Sequence, residues 1–272
     1  MNVLITGAGS GIGLACAKEF AKNGHAVYAL DLKPAPAEEN IFPFTADVTD
    51  EGSLLAVKAE LERQNVALDC IVNVAGIFFM DNFLEVSEER LRAMYDVNLL
   101  GAMRVNKIFF PLLSRGGKIL ITTSEVAPLD PLPFNGLYSV SKTALDAYAQ
   151  ALRHEAGLLG VKVVTIRPGA IKTPLAQSSI PSMREMTKKS RYFGGQAERF
   201  GELMEKFTGK MLDPAVLARR IYAVSQKKNP ACVYTVHAGV LLKLLSLLPK
   251  GLQVKIIRAL IGKRAGRSAS AG

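Results

Sequence analysis

Short apolar segments alternate with longer amphipathic segments along most of this chain. The apolar segments have the length of buried strands and lie at residues 2–6, 26–31, 41–45, 68–73, 117–124, 161–166 and 230–236. The amphipathic segments predict helices that end near residue 23 and that cover residues 51–64, 87–95, 97–114 and 138–159. Repeated strand–helix–strand units with short connections predict an α/β fold, a doubly wound parallel sheet covered by helices on both faces. No internal repeat or low-complexity linker interrupts the pattern, so residues 1–238 are predicted to form one domain.

A glycine-rich turn follows the first predicted strand, with the sequence Thr-Gly-Ala-Gly-Ser-Gly-Ile-Gly at residues 6–13. Gly7, Gly11 and Gly13 allow a tight turn, close approach of backbone N–H groups to a pyrophosphate, and close packing of the next helix on the sheet. A strand precedes the turn, a helix follows it, and the next strand ends in an acidic residue, Asp31. This context predicts a dinucleotide-binding Rossmann fold.

Asp31 indicates which dinucleotide to expect. A carboxylate at the end of the second strand accepts hydrogen bonds from the adenosine ribose hydroxyls and repels a 2′-phosphate. NAD is therefore the predicted cofactor, and NADP is disfavoured. Two alternatives stay open, since Asp31 could simply cap the strand end and Lys33 could soften the repulsion.

Tyr138 and Lys142 lie one turn apart at the start of the longest predicted helix. A free tyrosine has a pKa of about 10 and exchanges protons poorly near neutral pH, whereas a neighbouring ammonium favours the phenolate. Such a pair alone is also typical of a solvated helix face. Ser124 adds a hydroxyl at the carboxyl end of a predicted buried strand, and the glycine-rich turn is the second signal that favours acid/base chemistry.

The composition limits the classes of function. With 49% hydrophobic and 21% charged residues, the chain is that of a folded globular protein. We expect a cytoplasmic location, because no signal sequence precedes the first strand and no apolar run is long enough to span a bilayer. The three cysteines and three histidines are too scattered to predict disulfides or a metal site. The net charge of +10 comes from lysines and arginines gathered in residues 184–228 and 243–267, and the first 160 residues lack a basic block, so nucleic acid is not an expected partner.

The order and spacing of these motifs resemble those of the short-chain dehydrogenase/reductase family over residues 1–236. The matching motifs are Thr6-Gly-x-x-x-Gly-x-Gly13, Asp47-Val48, Asn73-Val-Ala-Gly76, Asn98, Ser124, Tyr138-x-x-x-Lys142, and Arg167-Pro168-Gly169 with Thr173. Val74 departs from the family pattern, which commonly has Asn there. We expect a changed strand contact at Val74 and no loss of chemistry.

The resemblance implies a role for each matching residue. Tyr138 would act as the acid/base, and Lys142 would lower the pKa of Tyr138 and hold the nicotinamide ribose. Ser124 would hydrogen-bond the substrate oxygen, and Asn98 would position a water in a proton relay. The implied cofactor-binding set is Gly7, Ser10, Gly11, Ile12, Gly13, Asp31, Asp47, Val48, Asn73, Ala75, Gly76, Tyr138, Lys142, Pro168, Gly169, Ile171 and Thr173.

Residues 174–213, which we name the lid segment, leave the alternating pattern. They contain methionines, phenylalanines and many basic residues, and they follow the carboxyl end of a strand, where ligands bind in open α/β sheets. The composition predicts an adaptable lid over an apolar substrate. An ordinary helical core is the alternative.

Residues 239–263 predict two short amphipathic helices with broad apolar faces, whose narrow polar stripes carry Lys243, Lys250, Lys255 and Arg258. Three interpretations remain open: contact with a membrane interface, a cover over the substrate pocket, or an interface in a homo-oligomer, either a dimer or a tetramer. The segment resembles the carboxyl termini of steroid- and retinol-type family members, which implies a lipophilic substrate. Residues 264–272 are expected to be disordered.

The leading hypothesis is an NAD-dependent oxidoreductase that acts on a hydrophobic secondary alcohol or ketone, such as a steroid, retinoid or lipid. One alternative is a reductase of 3-oxoacyl chains or small carbonyl compounds. Another is a regulator that senses NAD without turning it over. The complete set of Asn98, Ser124, Tyr138 and Lys142 disfavours the sensor, which has no need of an acid/base pair.

Overall fold

A parallel sheet forms the centre of the protein. The structure, a computed structural model, describes residues 1–33, 36–207 and 211–262. Within these residues seven strands are ordered β3-β2-β1-β4-β5-β6-β7, and all neighbouring pairs are parallel. The strands are β1 Asn2–Thr6, β2 Ala26–Asp31, β3 Ile41–Thr45, β4 Leu68–Asn73, β5 Leu113–Thr122, β6 Lys162–Pro168 and β7 Val233–Val236. The predicted doubly wound sheet in a single domain is confirmed.

Helices cover both faces of the sheet and continue beyond its last strand. They are α1 Gly11–Lys22, α2 Glu51–Arg63, α3 Glu88–Tyr95, α4 Ala102–Phe109, α5 Gly136–Leu158, α6 Pro174–Gln177, α7 Ser179–Lys189, α8 Gly194–Phe207, α9 Pro214–Gln226, α10 Val240–Ser246 and α11 Lys250–Ile261. None of the helices in the described ranges is long and apolar enough to cross a membrane.

The alternation of side chains along β1 shows how the two faces are filled. Val3 and Ile5 pack with α1 and α9 on one face, whereas Leu4 packs with α2, α4 and α5 on the other. All three side chains are fully buried. Burying an aliphatic side chain of this size contributes about 1.5–3 kcal/mol, so strands that are apolar at every position suit a sheet covered on both sides.

Some element boundaries differ from the prediction. The helix predicted over residues 97–114 is divided into a π-helical turn, Asp96–Gly101, then α4, then a 3-10 turn, Phe110–Leu112, before β5 begins at Leu113. Pro111 lacks the N–H that would continue α4, which explains its end. The last strand is shorter than predicted and begins at Val233. β5 ends at Thr122, so the loop after the strand carries Ser124.

The strand order locates the cleft of the fold. β1 lies between β2 and β4, so the chain after β3 must cross the sheet before it forms β4. Crevices in doubly wound sheets open at this point, beyond the carboxyl ends of the strands. The glycine-rich turn after β1 and the loops after β4 and β5 all lie at that edge.

Candidate active site

A cavity of about 300 Å³ opens at the carboxyl ends of the strands. It is lined by eleven of the predicted cofactor-binding residues, namely Gly7, Ser10, Gly11, Ile12, Gly13, Asp31, Asp47, Val48, Ala75, Gly76 and Thr173. Val74 also lines it, and so do several apolar residues that were not predicted from the sequence, Leu30, Leu32, Ala46, Ile77, Val97, Pro174 and Leu175. These carry no polar signal in the sequence and reach the cavity only because the fold brings their segments together.

Two glycines of the turn cannot be replaced without moving the backbone. Gly7 has a φ of +67°, and a Cβ on it would lie 2.8 Å from the backbone of Ala75. A Cβ on Gly13 would lie 2.0 Å from the carbonyl oxygen of Gly7, which confirms the predicted close packing of α1. Ser10 is the N-cap of α1 and makes no side-chain cap hydrogen bond. The N–H groups of the first helical turn are therefore available to a pyrophosphate, and the turn fits a dinucleotide.

The Asp31 carboxylate is fixed by backbone donors at the edge of this cavity. Oδ2 accepts from the N–H of Gly9 at 2.8 Å, and Oδ1 accepts from the N–H of Lys33 at 2.9 Å. A carboxylate oxygen has two lone pairs, so each oxygen retains capacity for a further donor such as a ribose hydroxyl. Asp31 therefore has the position and the free acceptor capacity to contact a ribose.

Asn98 ties the loop after β4 to the sheet-facing side of α5. It lies fully buried in the π-helical turn, a local widening that is common at functional sites. Its Oδ1 accepts from the N–H of Ile77 at 2.7 Å, and its Nδ2 donates to the carbonyl of Ile77 at 3.0 Å and to Ser141 Oγ at 3.1 Å. A Cβ on Gly76 would lie 3.1 Å from Asn98 Oδ1 and 3.6 Å from Lys142 Nζ, so both polar groups face the same glycine.

Ser124, Tyr138 and Lys142 converge beyond the end of β5. The side chain of Ser124 lies close enough to the Tyr138 hydroxyl to act on its pKa as a hydrogen-bond partner. Lys142 is buried, its Nζ lies 5.8 Å from the centre of the Tyr138 ring, and it donates to the carbonyl of Thr122 at 3.3 Å. The structure therefore brings together the three side chains for which the sequence predicted acid/base chemistry.

Burial is the largest cause of the pKa shifts in this cluster. Lys142 was expected to lower the pKa of Tyr138, but burial raises the pKa of Tyr138 to about 12, and the carboxylate of Glu125 adds to that shift. The hydrogen bond with Ser124 opposes it only in part. Burial also lowers the pKa of Lys142 to about 8, so its side chain is still mostly an ammonium at neutral pH. In the ligand-free chain Tyr138 is therefore a phenol at neutral pH, the form that can donate a proton.

Two neighbours of Tyr138 were not found from the sequence. Phe78 packs its ring against the Tyr138 ring at 4.8 Å in an edge-on arrangement. Glu125 follows Ser124, donates its N–H to the carbonyl of Pro168 at 2.8 Å, and accepts from the N–H of Gly239 with Oε2. Glu125 therefore joins the loop that carries Ser124 to Gly239, where the C-terminal helices begin. The sequence indicated a role for Glu125 only through its position directly after Ser124.

Six residues of the implied cofactor-binding set do not line this cavity: Tyr138 and Lys142, which are described above, and Asn73, Pro168, Gly169 and Ile171. Asn73 donates to Asn106 Oδ1 at 2.8 Å, toward α4. Pro168 and Gly169 hold the end of β6 to neighbouring backbone, and Gly169 donates its N–H to the carbonyl of Val236 at 2.8 Å. Ile171 is buried in the core on the α1 side. Their described contacts are structural, and Thr173 is the residue of that motif that lines the cavity.

The lid segment forms α6, α7 and α8, and its apolar side chains pack into a third core, which we name the lid core. It consists of Met80, Phe134, Met183, Met186, Ala197, Phe200 and Ile261. Met183, Met186 and Phe200 are buried there, so the alternative of an ordinary helical core holds for these three side chains. Phe78 packs on the same core and also on Tyr138, which makes the acid/base side chain continuous with an apolar region.

The predicted C-terminal helices are present as α10 and α11, and α11 covers the lid core. Ile261 is part of that core, and Ile257 packs against it. Asp130 anchors the pair, because its N–H donates to Ser246 Oγ at 3.1 Å and its carboxylate accepts from Gln253 and pairs with Lys250. The predicted disordered tail, residues 264–272, lies outside the described residues.

Comparison with known proteins agrees with this geometry. A family model for short chain dehydrogenases matches residues 1–184. A 3-ketodihydrosphingosine reductase of Bacteroides thetaiotaomicron is 27% identical over 230 residues, which are 84% of each chain. A short chain dehydrogenase family protein from Francisella tularensis shares the fold with a TM-score of 0.73 and 21% identity, over 86% of this chain and 96% of that one. The 3-ketoacyl-(acyl-carrier-protein) reductase from Brucella melitensis, complexed with NADH, gives a TM-score of 0.69 and 24% identity over the same shares. The chain belongs to the short-chain dehydrogenase family and is an oxidoreductase that uses a nicotinamide cofactor.

Proposed function

We propose that this protein transfers hydride between NAD(H) and a hydrophobic secondary alcohol or ketone, with Tyr138 as the acid/base. The observation that carries the proposal is the convergence of Ser124, Tyr138 and the buried Lys142 beyond the end of β5, beside the cavity that Asp31 lines. A protein that only senses a dinucleotide has no need of this cluster. The acid/base cluster therefore supports an enzyme over a regulator.

Each side chain has a distinct task in the proposed reaction. The bound cofactor supplies or accepts the hydride. Ser124 and Tyr138 present two hydroxyls to one substrate oxygen, and Tyr138 donates its proton as a ketone becomes an alcohol or removes one in the reverse direction. Lys142 Nζ lies beside Gly76, which lines the cavity, and its proposed task is to hold the nicotinamide ribose.

NAD is the proposed cofactor because of the fixed carboxylate of Asp31. A 2′-phosphate would meet a negative charge that two backbone N–H groups hold in place. The repulsion between unit charges about 4 Å apart lies between about 1 kcal/mol in water and about 4 kcal/mol near a protein surface. Lys33, two residues after Asp31 in the sequence, is the basic side chain that could offset this repulsion.

A lipophilic substrate is supported by the surroundings of Tyr138. Phe78 connects Tyr138 with the lid core, and the lid core continues to α11. The relative named as a 3-ketodihydrosphingosine reductase acts, by its name, on a ketone of a long-chain lipid base. A long-chain keto lipid is therefore the substrate class to test first, with steroids and retinoids after it. The structural neighbour named as a 3-ketoacyl reductase keeps the 3-oxoacyl alternative in the same screen.

A homo-oligomer in the cytoplasm, with peripheral contact to a membrane, is the proposed state of the protein. Val233, on the edge strand β7, and Val216, on α9, are exposed apolar side chains that a second copy could cover. A substrate of the proposed class resides in bilayers, which favours an enzyme that reaches the membrane surface.

The proposal is tested by an activity screen that follows nicotinamide absorbance. Keto lipids, steroids, retinoids, acyl ketones and small carbonyl compounds are each offered with NADH and with NADPH, and the alcohols with the oxidised cofactors. We expect turnover with an apolar substrate and NAD(H), and none with Tyr138→Phe. Binding of NAD without turnover of any substrate would favour the regulator. Turnover of small carbonyl compounds alone would replace the lipophilic substrate.

A further inference from the structure

The outward side of α10 exposes a row of large apolar side chains. Val240, Leu241, Leu244 and Leu247, which we name the α10 surface, have exposed fractions of 69%, 55%, 55% and 79%. They recur at the three- and four-residue spacing that places side chains on one side of a helix. Scattered single apolar residues on a surface are ordinary, whereas a contiguous group of this kind marks a contact with a partner or a membrane.

The inward side of the C-terminal helices is already occupied. Ile257 and Ile261 of α11 pack on the lid core. Asp130 makes hydrogen bonds to Ser246 and Gln253. The pair is therefore fixed in orientation by contacts on its inner side. Turning the α10 surface inward would require all of these contacts to break.

Basic residues predominate among the charges around the α10 surface, where Asp130 pairs with Lys250 and Glu125 accepts from the N–H of Gly239. Every charged residue after Asp213 in the sequence is a lysine or an arginine. Lys243 lies within α10, and Lys255 and Arg258 are exposed on α11. A second copy that met this face with its own α10 surface would oppose cations to cations. A layer of anionic headgroups over apolar acyl chains complements both the charges and the leucines.

We propose that the α10 surface docks onto an anionic lipid bilayer, with its leucines at the acyl boundary and the neighbouring lysines among the headgroups. The docking is peripheral, since no helix in the described part of the chain could span the bilayer. It is a binding property and does not depend on the proposed reaction. The α10 surface is exposed while α11 packs on the lid core, so docking brings the helices that cover this core to the membrane.

The test is co-sedimentation of the full-length protein with vesicles, measured without substrate or cofactor. Phosphatidylcholine vesicles are compared with vesicles that also contain phosphatidylserine. We expect binding to the anionic vesicles that weakens as salt is raised, because salt screens the attraction to the headgroups. Failure to sediment with anionic vesicles at low salt would overturn the proposal.

The apolar part is tested with the double variant Leu244→Ser/Leu247→Ser. Both side chains are exposed, so the fold should tolerate the change, and the partition coefficient should fall by at least about tenfold as buried methylene groups are lost. The matched control is Leu158→Ser/Leu159→Ser, an exposed leucine pair at the end of α5, which should bind as the wild type does. Equal binding by the α10 variant and the wild type would overturn the proposal.

The charged part is tested with Lys243→Glu, for which the matched control is Lys22→Glu in the last turn of α1. Each cation near an anionic surface contributes about a fivefold increase in binding, so Lys243→Glu should weaken binding at least that much and the control should not. Light scattering of the same variants identifies the competing occupant. A leucine variant that dissociates an oligomer but still binds vesicles would assign the α10 surface to a second copy of the chain. That result would refute docking of this surface onto a bilayer.

Discussion

Burial of the Lys142 ammonium predicts that this side chain lowers the stability of the protein, although we propose that it acts in catalysis. Replacing it with methionine should stabilise the ligand-free protein. Lowering the pKa from 10.5 to about 8 corresponds to a cost of about 3 kcal/mol for keeping the side chain charged inside the fold at neutral pH. The hydrogen bond to the carbonyl of Thr122 offsets about 1 kcal/mol of this cost. Lys142→Met, which retains the length of the chain, should therefore raise the free energy of unfolding by about 2 kcal/mol.

The gain should depend on pH in a defined direction. Below about pH 8 the amine is protonated in the folded and the unfolded chain, so the wild type carries the full cost. Between about pH 8 and 10.5 the folded protein loses this proton while the unfolded chain keeps it, and the stability of the wild type rises relative to the variant. The advantage of Lys142→Met should thus be complete at neutral pH and shrink as the pH approaches 10.5.

Thermal unfolding followed by circular dichroism measures this effect. For a chain of this size a gain of about 2 kcal/mol corresponds to a rise in Tm of roughly 4 °C. Lys228→Met, at an exposed lysine, is the matched control and should change neither Tm nor its pH dependence. A Lys142→Met protein that is less stable than the wild type at neutral pH, or whose advantage does not shrink with pH, would refute the reasoning. Loss of activity in the same variant would show stability and function opposed at one residue.

The remaining predictions concern catalysis and cofactor choice. Tyr138→Phe keeps the ring packed on Phe78 but deletes the hydroxyl, so the rate should fall by at least about a hundredfold while NAD affinity, measured by fluorescence titration, stays the same. A variant that keeps more than a tenth of the rate would assign the acid/base role to another residue. Asp31→Asn removes the charge that opposes a 2′-phosphate and should narrow the NAD preference, taken from the ratio of kcat/KM values, by about ten- to a hundredfold; a wild type that prefers NADPH contradicts the assignment. Glu125→Gln removes a carboxylate that raises the pKa of Tyr138, so the limb of the rate profile that reports Tyr138 should move to lower pH, and an unmoved limb would rule out this coupling.

The parts of the site that were predictable depend on short-range geometry. The turn at residues 6–13 was predictable because local geometry requires its glycines. Gly7 has a positive φ, and Gly13 packs too closely on the turn to carry a side chain. Asp31 was predicted because the apolar run of β2 ends at this residue, where a carboxylate can contact a ribose. The doubly wound order follows from the alternation of strands and helices, which the sequence displays directly.

The parts that were not predictable depend on long-range packing. The Lys142 ammonium was expected to lower the pKa of Tyr138, but the burial that raises this pKa comes from segments far away in the sequence. Phe78 and Glu125 have no pattern that distinguishes them from core or surface residues. The π-helical turn around Asn98 was read as part of a continuous helix, because one added residue per turn leaves the apolar spacing almost unchanged.

The C-terminal helices show why periodicity left three interpretations open. A hydrophobic pattern tells which side of a helix avoids water, but α10 and α11 are apolar over more than one side, and a pattern cannot say what covers each of them. The structure divides them: Ile257 and Ile261 face the lid core, and Leu244 and Leu247 face outward. One pair of helices thus both covers the lid core and carries the α10 surface, for which we propose membrane docking. Because Glu125 contacts the N–H of Gly239 at the start of this pair, a displacement of α10 at a membrane would reach the loop that carries Ser124.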